Sequence, residues 1–409
     1  MNKRANVGMT LTLAGLLFAA AGCASRTAPA PVAALPAEPA PAAEPRMSAL
    51  QLTMEQELDW READANQLNI RPFVGEPGVS EATTVNVSKV TFAQEGGDFD
   101  PSISRDGSTL VFASTQHRAT SDIYVKQVNT KTVTQLTRDA AQDVMPAISP
   151  DGSMIAYASD RSGNWDIFVM PVTGGKAFQI TTDVTADVAP SWSPDGTQLV
   201  FSRLGETSGR WEMWTLRVSK PEVAQFIGYG LFPKWCPTPG TGSEGGDQIL
   251  FQLGRERGNR GFGLWTLTYK DGEASNPTQI VSDTGNALIN PSWSPDGNWI
   301  VYAQVPMTQP SDTTPESSSL WMTSTQGEGT VRLTTGHGVA LSPVWSKSDH
   351  LFFVSNRDGV ENVWSMRMQD AVRTASALVA PGTAAIATEL RHESTEDAEL
   401  ETASETDRE

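Results

Sequence analysis

Between residues 85 and 369, short runs of β-branched and aromatic residues are broken by Gly, Pro, Asp and Ser. That pattern predicts strands joined by tight turns, not helices. The punctuation repeats. Pro101-Ser-Ile-Ser-Arg-Asp-Gly107, Pro146-Ala-Ile-Ser-Pro-Asp-Gly152, Pro190-Ser-Trp-Ser-Pro-Asp-Gly196 and Pro291-Ser-Trp-Ser-Pro-Asp-Gly297 carry nearly one phrase, and degenerate copies start at Pro233 and Pro343. The starts lie 45, 44, 43, 58 and 52 residues apart. A period of about 40–45 residues is that of a four-stranded propeller blade, and two copies carry insertions.

Each copy predicts the same four elements. The first strand holds the Pro and the following Ile or Trp. A turn follows, in which Pro presets one dihedral, Asp favours the turn and Gly accepts the left-handed conformation. The second strand has an aromatic at its middle in all six copies: Phe112, Tyr157, Phe201, Phe251, Tyr302 and Phe353. The third has one at Tyr124, Phe168, Trp214, Trp265, Trp321 and Trp364. Bulky rings at fixed places are expected to wedge neighbouring sheets apart as core. A fourth strand is read at 132–137, 177–182 and 331–335. The sixth copy lacks one after Met368, and a spare strand, Val87 to Phe92, stands before the first. The fold expected is therefore an all-β, six-bladed propeller of four-stranded antiparallel blades, in which the N-terminal strand completes the last blade and removes an open edge.

Outside this body the pattern changes. Lys3 and Arg4 precede an apolar run from Val7 to Ala21 that is short for a membrane span. It ends at Ala20-Ala21-Gly22-Cys23. Residues 1–22 read as a lipoprotein signal peptide, with lipidation at Cys23. Ala24 and Ser25 follow without an Asp, which in the Gram-negative lipoprotein pattern implies the outer membrane. An Ala/Pro-rich tether covers 23–46. In 47–84 a helix is read from Leu50, Met54 and Leu58 at four-residue spacing, followed by a linker. Residues 370–409 read as a disordered acidic tail, with an electrostatic arm for a basic partner as the alternative.

Charge and cysteines narrow the function. The net charge is −18, and the leader carries two of the cations, so nucleic acid is not an expected partner. Cys23 and Cys236 are the only cysteines. With Cys23 acylated no internal disulfide remains, and Cys236, in Trp235-Cys236-Pro237, reads as a serine replaced by a residue of similar size.

The phrase Pro-x-Trp-Ser-Pro-Asp-Gly, followed by Asp122 to Val125 and Asp166 to Val169, resembles the WD40-like repeats of the TolB propeller family. The resemblance covers about 85–369. It implies a periplasmic propeller that binds other envelope proteins, as TolB does in the Tol-Pal system. Two features depart from the family: no α/β domain precedes the propeller, and this chain carries a lipoprotein signal.

In a propeller the turns between strands one and two lie on one face, and the blade connections and second-to-third-strand loops on the other. On that second face Asp98, Asp143 and Asp187 each lie three residues before a blade's Pro. Arg118, Arg161, Arg203, Arg210, Arg255, Arg257, Arg260 and Arg357 come to the same face; blade five has the polar insertion 307–319 instead. On one reading the acids and arginines pair across neighbouring blades and pin loops. On the other, the arginines rim a pocket that recognises carboxylates or sugar hydroxyls. A cation held by the three Asp residues is disfavoured by their separation on different blades. No metal and no cofactor is expected.

Catalytic signals are missing: no Gly-x-Ser-x-Gly, no His-Glu-x-x-His, no phosphate loop and no paired-Cys zinc motif. His117, His337, His350 and His392 are scattered. The expectation is a monomeric, lipid-anchored envelope scaffold that binds proteins through one propeller face. A glycan or peptidoglycan-fragment binder and a propeller lyase or hydrolase are the alternatives.

Overall fold

A computed structural model describes residues 80–81, 86–254, 262–307, 317–335 and 338–379. Cys23, the 48–67 helix, Arg255, Arg257, Arg260, His337 and residues 380–409 lie outside the described residues.

Six antiparallel sheets follow one another along the chain. Blade one is Asp98–Ile103, Thr109–Ser114, Asp122–Gln127 and Val133–Gln135. Blade two is Asp143–Ile148, Met154–Ser159, Asp166–Pro171 and Phe178–Gln179. Blade three is Asp187–Trp192, Gln198–Leu204, Trp211–Arg217 and Lys220–Tyr229. Blade four is Leu231–Trp235, Asp247–Gly254, Phe262–Lys270 and Glu273–Val281. Blade five is Asn286–Trp293, Trp299–Pro306, Ser319–Ser324 and Val331–Arg332. Blade six supplies Ala340–Trp345, His350–Ser355 and Asn362–Arg367.

Its fourth strand is Val87–Lys89, antiparallel to Asn362–Arg367 with Val87 opposite Met366 and Lys89 opposite Trp364. The peptide N–H groups of Val90 and Thr91 then donate to Val363 O. The ring closes with its first strand, as the missing fourth strand after Met368 requires.

The second-strand aromatics are the core. Phe112, Tyr157, Phe201 and Phe353 have no exposed surface, and each contributes about 1.5–3 kcal/mol by burial. Facing rings pair within a blade, Phe112 on Tyr124 at 5.8 Å and Tyr157 on Phe168 at 6.0 Å between centroids. The Trp of the repeat also ties blades together: Trp192 Nε1 donates to Ala147 O at 2.9 Å, and Trp293 Nε1 to Lys234 O at 2.8 Å. In the turns the Ser and Asp bond each other; Ser149 Oγ donates to Asp151 at 2.5 Å, and Ser153 N to the same oxygen at 3.0 Å. Cys236 is fully buried at the serine position, and burial pushes its thiol up.

One irregularity recurs in all six blades. The residue before each repeat Pro has positive φ, between 48° and 53°: Asp100, Met145, Ala189, Phe232, Asn290 and Ser342. Strand pairing slips at the same place in every blade. This is a β-bulge that re-aims the innermost strand where the six converge.

Two elements differ from expectation. Gln369–Val379, assigned above to the acidic tail, is a helix. Its apolar residues recur at helical spacing, with Ala371 and Ala375 one turn apart and both buried, a pattern that the Ala-rich composition and the acidic run beyond it mask. Gly329, at φ 64°, lets blade five's outer hairpin approach it; a Cβ there would lie 2.7 Å from Ala375 O. Ser80–Glu81, read as linker, adds a parallel fifth strand to blade five at Val331–Arg332.

Candidate functional site

On the connection face the geometry is clearest in blade two. Asp143 opens its first strand, opposite Ser159 at the end of the second. Arg161 folds back from the following loop. Its Nε donates to Ser159 Oγ at 2.9 Å, and its Nη2 reaches both Asp143 oxygens at 2.9 Å. Asp139 adds a contact at 3.0 Å. The guanidinium lies 4.8 Å from the Phe168 centroid and 5.5 Å from that of Tyr157. Blade three repeats the arrangement from a different position. Arg203 holds Asp187 in a two-pronged pair, both bonds 2.7 Å, and Asp183 at 2.7 Å. It lies against Phe201 and Trp214.

Burial pushes the Asp143 and Asp187 carboxyls up, while hydrogen bonds and arginine charge pull the other way. Burial also opposes the charge on Arg161 and Arg203, yet the carboxylates hold both above their ordinary value. The expected pairing across neighbouring blades is therefore corrected. Acid and arginine belong to one blade, because strand ends one and two face each other, and the second acid comes from the connection entering that blade.

The other residues of this face do not converge. Asp98 is buried beside Ser114, Thr91 and Lys89, with no arginine paired to it among the described residues, and burial raises its carboxyl. Arg118 donates to the carbonyls of Arg138 and Asp139 at 2.6 and 2.8 Å. Arg210 lies 4.0 Å from the Tyr229 ring centroid. Arg357 packs on Phe353 and Trp364. His117 meets the Tyr124 ring edge-on. Among the described residues no group of three or more His, Cys, Asp and Glu could hold a metal ion.

The concave site is on the opposite face, where the Ser-Pro-Asp-Gly turns lie. A funnel of about 190 Å³ opens there at the propeller axis. Trp192, Trp235, Trp293 and Trp345 line it, and its cations are Arg105, Lys234 and Lys347. Among the described residues no carboxylate lines it. The turn aspartates are drawn back into their own turns; the Ser104 hydroxyl first, then Ser108, holds the Asp106 carboxyl down at about 2.

Below the funnel lies a chamber of about 50 Å³ that shares Lys234 with it and is also lined by Asp100, Asn290 and Ser342. Burial pushes the Asp100 carboxyl up to about 6, against the Met145 N–H and the charge of Lys234. Burial pulls the Lys234 ammonium down, and Asp100 opposes that. Asn290 Oδ1 is buried without a hydrogen-bond partner. An acid, an ammonium and an open amide oxygen thus face one small cavity.

A sequence-family profile described as the TolB beta propeller domain matches residues 79–227. A solved structure described as a putative TolB from Agrobacterium tumefaciens matches at 19% identity and a TM-score of 0.50, covering 66% of this chain and 90% of that one. This chain's propeller is TolB-like. TolB from Acinetobacter baumannii matches at 14% identity, TM-score 0.45, covering 64% of each chain. An oligogalacturonate lyase from Vibrio parahaemolyticus matches at 15% identity, TM-score 0.47, covering 72% of this chain and 96% of that one. At such identities the likeness concerns the fold.

Within this TolB-like ring the funnel has a repeat grammar that motif-by-motif reading missed. The residue after each repeat Pro lines the funnel: Ser102, Ala147, Ser191, Lys234, Ser292 and Val344. So does the position four after it, which is Pro in blades two to five, Arg105 in blade one and Lys347 in blade six. The residue before each Pro lines the chamber. Every charge at the axis is a departure from the repeat at one of these three positions. Aligning the six copies and listing their exceptions would have found all four.

Proposed function

We propose that this chain is an envelope-binding propeller without catalytic activity, exported and lipid-anchored at Cys23, which receives a segment of a partner protein in its turn-side funnel. The observation that carries this is the funnel's lining. Among the described residues, three cations and no carboxylate line the funnel of a strongly acidic chain, beside proline surface suited to an extended polypeptide. Arg105 and Lys347 belong to adjacent blades, joined by the Lys347 N–H to Arg105 O bond of 3.1 Å. They give the rim a paired positive corner where the other blades present proline. Lys234 stands at the floor. Acidic groups on the partner, with apolar neighbours, fit this pattern. The TolB likeness supports the bacterial envelope as the compartment.

The test is pull-down from envelope extracts with the full-length protein, comparing Arg105→Glu plus Lys347→Glu with Arg118→Glu on the opposite face. Loss of a partner in the double variant and its retention in Arg118→Glu is expected. The reverse pattern contradicts the proposal, and retention of cell-wall fragments in place of any protein would favour a glycan ligand.

A further inference from the structure

The four aromatic-backed slots of the connection face can be compared directly. In blades two and three an arginine lies between a second-strand and a third-strand ring and closes on a buried carboxylate. Blade one keeps the acid, Asp98, but has Gln116 where blade two has Arg161. Blade six does the opposite. Arg357 stands where blade two has Arg161, and the two acid positions that grip the arginine, Asp139 and Asp143 in blade two, Asp183 and Asp187 in blade three, are Gly336 and Ala340.

Arg357 is nevertheless held as its counterparts are. Its guanidinium carbon lies 5.2 Å from the Phe353 centroid and 5.0 Å from that of Trp364, against 5.5 and 4.8 Å for Arg161. Its Nε donates to Ser355 Oγ at 3.2 Å, as Arg161 Nε donates to Ser159 Oγ at 2.9 Å. Among the described residues no carboxylate forms an ion pair with it; Asp358, next in the chain, is committed to Lys89. Partial burial lowers Arg357 against the charge of Asp358, whereas Arg161 and Arg203, gripped by their own acids, are raised. The side chain is exposed. The guanidinium is therefore preorganised, and the group missing from its slot is what Ala340 lacks relative to aspartate, one carboxylate.

We infer that Arg357 is a docking point for an aspartate or glutamate side chain of a partner, which completes in trans the pair that blades two and three make internally. The site lies on the opposite face from the funnel, so it does not depend on the function proposed there. Its chemistry is two parallel charge-assisted hydrogen bonds to a carboxylate, with the rings stacked on the guanidinium to fix its plane. Blade six closes on the strand Val87–Lys89 beside blade one, which places the site at the seam of the ring.

Arginine side-chain NMR on the full-length protein tests this, with N-acetyl-aspartate amide as probe, N-acetyl-asparagine amide as its neutral match and galacturonate as an acidic sugar. A saturable shift of the Arg357 Nε–H signal with the aspartate probe is expected, absent with the asparagine one. Ala340→Asp restores the internal acid and should weaken the response at least about tenfold. Arg357→Gln should remove that signal without moving those of Arg161 and Arg203. An unmoved signal, an equal response to the neutral probe, or an undiminished response in Ala340→Asp would overturn the inference. A response to galacturonate alone would overturn the assignment to a protein side chain.

Discussion

The buried carboxylates of Asp143 and Asp187 each close on an arginine at 2.7–2.9 Å. The charges at the axis are arranged differently: Asp100 and Lys234 line one cavity and form no ion pair among the described residues. The acids Asp143 and Asp187 lie at the ends of first strands, and Asp100 and Lys234 at or beside the bends of first strands in other blades. What separates them is the space beside them. On the connection face two strand ends and a loop converge, so a long side chain finds its counter-charge within its own blade. At the axis six bulges converge to ring a cavity, and Asp100 and Lys234 face each other from different blades of that ring. The first arrangement serves to hold the loops. The second leaves hydrogen-bonding capacity for something else.

Removing one partner of a closed pair should give the largest effect. Arg203→Ala strands two acids, of which Asp187 is fully buried. A loss of about 3–5 kcal/mol in denaturant unfolding is expected. A loss below about 1 kcal/mol, typical of surface pairs, would erase the distinction between the two regions.

The axial acid should behave in the opposite sense. Its folded-state pKa is raised, so its contribution to stability is fully present below about 3.8 and is lost as pH rises through about 6. Asp100→Asn should therefore flatten that part of the stability–pH curve and gain up to about 3 kcal/mol at pH 8. A variant that loses stability at pH 8 would mean that Asp100 is a structural partner like Asp187.

The rim should matter least for folding. Arg105→Glu with Lys347→Glu alters exposed side chains and is expected to change unfolding free energy by no more than about 0.5 kcal/mol, as read by urea titration. A large loss would make the rim cations part of the scaffold and would deprive the pull-down comparison of its meaning.

Much of this was legible in the chain. Ring closure follows from an unpaired Val87–Phe92 strand meeting a blade without its fourth, because an open edge is unfavourable. The buried rings follow from their fixed place in six copies. The terminal helix was legible in the helical spacing of Ala371, Val372, Ala375, Leu378 and Val379, but the Ala-rich composition and the acidic run that follows point to a tail instead. Nor was the choice of arginine partner. Arg203 sits in its strand and Arg161 in a loop two positions further on, and both reach the same slot, so spacing alone does not decide between a neighbouring blade and the same one. The funnel was legible in principle. Reading the repeat as structural punctuation hid Arg105, Lys234 and Lys347, which are informative because they break it.

The most direct test of the turn-side funnel as the binding site is in-cell photo-crosslinking from a reactive residue placed at Val344, which lines the funnel, against one placed at Arg118 on the connection face. The account predicts a discrete adduct with an envelope protein from position 344, suppressed by Lys234→Met. Adducts from position 118 with none from 344 would contradict it.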